Sequence, residues 1–178
     1  MEFNFKKPYS DNIIFFDTEF STLDPYKGEI LSIGLVKFNG EELYLELEYD
    51  GYIEEWVKKN IIPTLKEPKV SRDEAKKIIV KFIGKEKPYS VAYVNKFDAV
   101  YWRKLFNSGD DPFFWLPIDF ASMLFGLGID PEAYYFGDKK NFYKEIGVDH
   151  TKYKEHNALD DAKLLREVWL KFFKIKER

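Results

Sequence analysis

The pattern of apolar and polar residues predicts an α/β fold with a mixed sheet, in which a three-strand antiparallel meander is followed by α-β-α-β-α. Two observations carry this. Residues 12–49 hold three β-like runs, the last two joined by Asn39-Gly40, a strong short hairpin signal. Beyond residue 70, apolar residues recur at helical spacing in stretches separated by short apolar runs.

Each element follows from its own residues. Residues 12–17 are apolar on both faces, which predicts a central strand. Residues 29–38 and 41–49 complete the meander, and "YIEEWVKKNI" reads as a short helix closed by Pro63. Ser71, with Glu74 three residues on, opens the next helix as a capping box, and its apolar stripe is Ala75, Ile78, Ile79 and Phe82. "YSVAYV" (89–94) is a buried strand, followed by a helix from about Phe97 to Phe106. Residues 116–119 form a short strand, with Asp119 capping a helix over 120–126. A short helical piece covers about 138–146, and a long helix runs from about Ala158 to Phe173. The chain has 178 residues, so all of it, 1–178, is expected to form one domain.

Composition narrows the function. Cysteine is absent, which removes disulfides, thiolate metal sites and cysteine nucleophiles together. A net charge of −3 excludes a generally cationic nucleic-acid binder, so any contact with phosphate must be local or carried by a cation. No run of about 18 apolar residues suggests a membrane span. "MEFNFKKPYS" lacks the pattern of a signal peptide, so a cytoplasmic location is expected.

The informative residues are acids in apolar places. Asp17 and Glu19 lie two apart on a strand and therefore share a face. Alone, such a pair also fits an ordinary strand-end charge pair. Asp161 is followed by Leu164, Leu165, Val168 and Phe172, one stripe of a helix, so it heads the buried face. Its neighbour Asp160 falls on the side of Lys163, Glu167, Lys171 and Lys174, which is solvated. Asp98 likewise heads the stripe of Tyr101, Trp102, Leu105 and Phe106. A helix-capping acid would explain either one singly. Acids on core-facing sides of three elements can converge, and converged carboxylates repel unless cations hold them. Oxygen ligands without cysteine favour Mg²⁺ or Mn²⁺ over zinc. His156, five residues before Asp161, is placed in the loop ahead of the helix, where an imidazole can take a proton from water; a surface loop histidine is the alternative. His150 is read as a surface residue.

In order, "FDTEF", "NKFDAVYW" and "HNALDDA" resemble the three motifs of the DEDDh 3′→5′ exonucleases, an RNase-H-like superfamily that includes RNase T, oligoribonuclease and proofreading subunits. The resemblance covers about residues 12–170, and the "DTEF" start is most similar to the small stand-alone exoribonucleases. It departs in the middle motif, where many relatives have Asn-x-x-Phe-Asp and Asn95 here stands three before Asp98.

The resemblance implies two divalent ions per site, with Asp17, Glu19 and Asp161 on one, Asp17 bridging to a second, and Asp98 supporting the second. It implies His156 as general base and release of 5′-mononucleotides from the 3′ ends of single-stranded RNA or 3′ overhangs. A proofreading-type DNA exonuclease and a non-catalytic nucleic-acid-binding module are the alternatives. Family members often wedge apolar side chains against the terminal bases, so Phe20, Leu23 and Tyr26 in the loop after the acids are the substrate-binding candidates; alternation turns Phe20 toward the core instead. Lys139, Lys140 and Lys144, near Phe142 and Tyr143, read either as a backbone-binding patch or as an ordinary amphipathic helix. A homodimer is compatible with the aromatic content.

Overall fold

The computed structural model describes residues 7–106, 109–132 and 139–174. Strand β1 (Ile13–Phe20) lies inside a six-stranded sheet, between β2 (Ile30–Lys37) and β5 (Tyr89–Ala92). β3 (Glu42–Leu47), the two-residue β4 (Lys69–Val70) and the two-residue β6 (Ile118–Asp119) complete the order β4-β3-β2-β1-β5-β6. β1, β2 and β3 are mutually antiparallel, as the meander requires, while β5, β6 and β4 join in parallel. The expected mixed sheet is present, with β4 as an additional edge strand. Two residues carry no periodicity, so β4 had no sequence signal.

The hairpin at Asn39-Gly40 forms with a three-residue loop. Lys37 N–H donates to the Glu41 carbonyl (2.8 Å), and Gly40 N–H donates back to Lys37 (2.9 Å). Gly40, at φ +94°, supplies the left-handed step that rejoins the strands.

Among the described residues the sheet is flanked by α1 (Glu55–Asn60), α2 (Arg72–Ile83), α3 (Lys96–Leu105), α4 (Phe120–Gly126), α5 (Lys139–Ile146) and α6 (Ala158–Phe172). The caps read from the sequence form. Ser71 accepts from Glu74 N–H, and Asp119 from Ser122 N–H. Alternation along β1 divides the core. Ile14 and Phe16 pack on one face with Ala75, Ile79, Tyr101 and Trp102 of α2 and α3. Ile13 and Phe15 pack on the other with Phe120, Leu165, Val168 and Trp169 of α4 and α6. At roughly 25 cal/mol per Å² of apolar surface removed from water, these two layers are the main stabilising contribution.

Two boundaries differ from expectation and both bear on function. β1 runs on to Phe20 instead of stopping at residue 17, because β2 goes on pairing with it through Asp17–Gly34 and Glu19–Ser32, with a register shift between Glu19 and Phe20. β5 ends at Ala92, not 94, since Val94 turns into the left-handed region at φ +54°. Among the described residues, the β5 side of β1 beyond Phe15 therefore has no strand partner. No helix among the described residues is long and apolar enough to cross a membrane.

Candidate active site

Asp17 and Glu19 continue the row begun by Ile13 and Phe15, so they point to the face covered by α6. What brings α6 close enough is a glycine. Gly34 pairs with Asp17 across β1 and β2, and the first turn of α6 lies directly on it. A Cβ at position 34 would overlap the Ala158 carbonyl and the Leu159 amide nitrogen, both backbone. With Ala158 seated there, Asp161 falls one turn along α6, over the two strand acids. Asn157 fixes the start of the helix by accepting from Asp160 N–H (3.1 Å).

The result is a group of three carboxylate oxygens, from Asp17, Glu19 and Asp161, all within 4.8 Å of one another. They line a cleft of about 580 Å³ together with Asp98, Leu23 and His156. Burial raises Asp17 well above the ordinary carboxyl range, and the neighbouring charges of Asp98, Asp161 and Glu19 add to it. Burial, then Asp161 and Asp98, pushes Glu19 up to about 8. Asp161 rises to about 7, mainly by burial, despite hydrogen bonding from the backbone of His156 and Asn157. Such a set holds protons near neutrality, or a cation in their place. Hard, mutually close oxygens fit a divalent ion of the Mg²⁺ or Mn²⁺ kind.

Asp98 occupies a different position. It comes from α3, on the opposite face, and is 5% exposed. Its Oδ1 accepts from Thr18 N–H (3.0 Å) and from Thr18 Oγ1 (2.7 Å). Thr18 N–H lies on the stretch of β1 that no longer pairs with β5, so Asp98 serves as its acceptor in place of a strand. Burial still lifts Asp98 to about 6, opposed by these bonds from Thr18. Asp98 thus lines the same cleft without joining the group of three.

His156 stands in the loop before α6, with φ +61°. Its ring meets Trp56 edge-on, with centroids 5.2 Å apart. Asn95 is buried beside β6, donating its N–H to Asp119 (3.1 Å) and its side-chain NH₂ to Ile118 O (3.3 Å).

The three rim residues separate. Leu23 is 58% exposed and lines the cleft. Phe20 also lines it, but is half-buried and stacked on Tyr101 (4.5 Å, 7°). Tyr26 is 95% exposed and lies outside the cleft lining. Phe142 and Tyr143 are buried in the core, so α5 is amphipathic, with Lys144 on its exposed side; the side chains of Lys139 and Lys140 lie outside the described residues. His150 is the residue that local pattern missed. It stacks on Tyr143 (4.7 Å, 15°) and forms part of the cleft wall. No spacing in the sequence joins these two, because the contact depends on how the segment after α5 folds back.

No protein-family model matches the sequence, and no curated protein matches it. Solved structures do. The nuclease domain of 3′hExo, a DEDDh family member bound to rAMP, matches with a TM-score of 0.69 at 13% identity, over 93% of this chain and 93% of that one. The fold is that of a DEDDh exonuclease domain. A zinc-bound E. coli exonuclease I complex with single-stranded DNA matches with a TM-score of 0.63 at 16% identity, over 90% of this chain and 40% of that one. A product-bound exonuclease I structure matches with a TM-score of 0.59 at 14% identity, over 90% and 43%. This chain therefore spans about two fifths of the exonuclease I chains. At these identities the likeness is one of DEDDh exonuclease fold, and the carboxylate group is this chain's own evidence of chemistry.

Proposed function

We propose that the protein is a metal-dependent 3′→5′ exonuclease that trims single-stranded RNA and releases nucleoside 5′-monophosphates. The observation that carries this reading is the meeting of Asp17, Glu19 and Asp161 within 4.8 Å, from segments far apart in the chain. Three half-buried acids with raised proton affinity are costly to keep together unless they hold something positive. In this reading Asp17, Glu19 and Asp161 would hold Mg²⁺ or Mn²⁺, and Asp98, on the same cleft, would support a second ion. When bound, the ions neutralise the phosphate and favour water as a nucleophile.

The chain's own residues supply the rest. An imidazole nitrogen of His156 takes the proton from the water that attacks the terminal phosphorus. The bond from phosphorus to the 3′-oxygen of the preceding nucleotide breaks. Leu23, at the rim, packs against the terminal base, which needs no sequence preference.

RNA is chosen over DNA on the likeness of "DTEF" to the small stand-alone exoribonucleases. The single-stranded DNA in the exonuclease I complex supports the DNA alternative. One experiment tests both. A 5′-labelled single-stranded RNA incubated with Mg²⁺ or Mn²⁺ is expected to give a one-nucleotide ladder, abolished by EDTA and by Asp17→Asn. The same DNA sequence trimmed faster would reverse the substrate choice. Pure protein that cuts neither strand with either ion would refute the enzyme reading.

A further inference from the structure

His156 is held in the left-handed backbone region. A non-glycine residue at φ +61° is sparsely populated and persists where neighbouring structure over-determines it. The His156 backbone also hydrogen-bonds the Asp161 carboxylate, and a second hold comes from one segment, α1 and the 3-10 turn after it (Ile62–Thr64). The Thr64 hydroxyl lies between the carbonyl oxygens of Ile61 (2.8 Å) and His156 (3.1 Å), sharing one proton between them. Trp56 presents its ring to the imidazole at 5.2 Å and 89°.

This segment is itself tied down at both ends. Glu54 N–H donates to Ser21 O (2.9 Å), and Thr22 Oγ1 donates to Glu54 Oε2 (2.8 Å), just past β1. At the other end the buried Glu46 of β3 takes N–H bonds from Lys66 (2.7 Å) and Glu67 (3.0 Å) on Oε1. Between them Val57 and Ile61 pack on Leu31 of β2. Trp56 is not part of that packing, being 52% exposed, and it does not line the cleft. Trp56 therefore sits outside both the core and the cleft lining, and its ring contact is with the imidazole.

We infer that the α1 segment is a positioning strap for His156, with Trp56 holding the imidazole and Thr64 fixing its backbone, so that the base stays in place on the cleft that holds the carboxylates. This rests on the exonuclease reading for its catalytic consequence. Trp56 and Thr64 are positioning residues, acting through His156. A ring freed to rotate would lose the near-attack geometry, whose loss costs about 10- to 100-fold in rate.

The test compares wild type, Trp56→Ala, Trp56→Phe, His156→Ala and the Trp56→Ala/His156→Ala double variant on labelled single-stranded RNA with Mn²⁺. Trp56→Ala is expected to lower kcat about tenfold with KM unchanged, and Trp56→Phe to restore most of it. In the His156→Ala background, Trp56→Ala is expected to have no further effect. The second readout needs neither substrate nor metal. The chain has two histidines, His150 and His156, so their imidazole C2 protons give two assignable NMR signals. Trp56→Ala is expected to move the His156 signal, by loss of the ring current, and to leave that of His150 in place. An unmoved His156 signal would overturn the strap, and so would a Trp56→Ala effect that lies in KM or persists without His156. Absence of cleavage by wild type would instead fail the exonuclease reading, with the NMR result still deciding whether Trp56 holds the ring.

Discussion

Replacing Glu19 by Gln is expected to make the metal-free protein more heat-stable at pH 8.5 and no more stable at pH 4. Folding moves this carboxyl from 4.5 up to about 8. Its folded-state pKa thus lies above its unfolded one, and the folded protein binds the extra proton. Whatever stability that proton supports is fully present below about pH 4.5 and is lost as pH rises through about 8. At about 1.4 kcal/mol per pH unit, the full span corresponds to roughly 5 kcal/mol. Asp17 and Asp161 are close enough to take up part of the proton, so about half of that, roughly 2–3 kcal/mol, is the share assigned to Glu19 alone. In a protein of this length 1 kcal/mol moves Tm by about 2–4 °C, which makes the expected gain of Glu19→Gln roughly 5–10 °C at the alkaline end. Thermal unfolding followed by circular dichroism in EDTA between pH 4 and 9 measures it. Wild type is expected to lose Tm across that range faster than the variant. Added Mn²⁺ is expected to return the loss to wild type and return less to the variant, because a ligand of the folded state alone raises its stability. Parallel Tm-against-pH curves for the two proteins would refute the account of the site as a cluster of unneutralised acids.

Three further outcomes follow from the geometry. Gly34→Ala places a Cβ on the backbone of Ala158 and Leu159; it is expected to cost about 3 kcal/mol or more and to abolish the Mn²⁺-dependent rise in Tm, both read in one melting series. Thr18→Val removes the hydroxyl donor to buried Asp98 and is expected to cost about 1.5–3 kcal/mol in urea unfolding, with Thr18→Ser restoring it. Leu23→Ala, at an exposed rim position, is expected to change stability by less than about 0.5 kcal/mol and to raise KM for single-stranded RNA about fivefold; an unchanged KM would remove Leu23 from the substrate path.

Most of the architecture was legible because it is encoded locally. Asn39-Gly40 marks the hairpin, Ser71 and Asp119 accept the cap bonds, and the stripe headed by Asp161 carries Leu165 and Val168 into the core along α6. The misplacements are at ends where a distant segment decides. Asp17, Thr18 and Glu19 looked like the end of a strand because charged residues seldom continue one. They do continue it, since β2 offers an unbroken row of partners opposite them. Val94 looked like strand because valine favours strands, yet the chain turns there to bring Asp98 to Thr18. β4 is set only by pairing with β3. His150 and Trp56 reach the cleft wall and the His156 ring through contacts that no periodicity encodes.

Asp98 shows most clearly how a correct local pattern can leave the chemistry undetermined. Heading an apolar helical stripe says that its side chain is buried, and it is. It does not say from which face of the sheet the acid arrives, because that depends on which way α3 crosses over. Asp17, Glu19 and Asp161 share the α6 face, while Asp98 approaches from the α3 face and spends one oxygen on Thr18, the residue between the two strand acids. The arrangement has a mechanical consequence. Thr18 points away from its neighbours, so a bond that holds Thr18 from behind also limits how far Asp17 and Glu19 can recoil from each other and from Asp161. Mutual repulsion among these acids is then resisted on one side by Asp98 through Thr18, and on the other by the close seat of Ala158 on Gly34. A site built this way keeps its carboxylates close in the absence of a cation, at a cost that appears as their raised proton affinity.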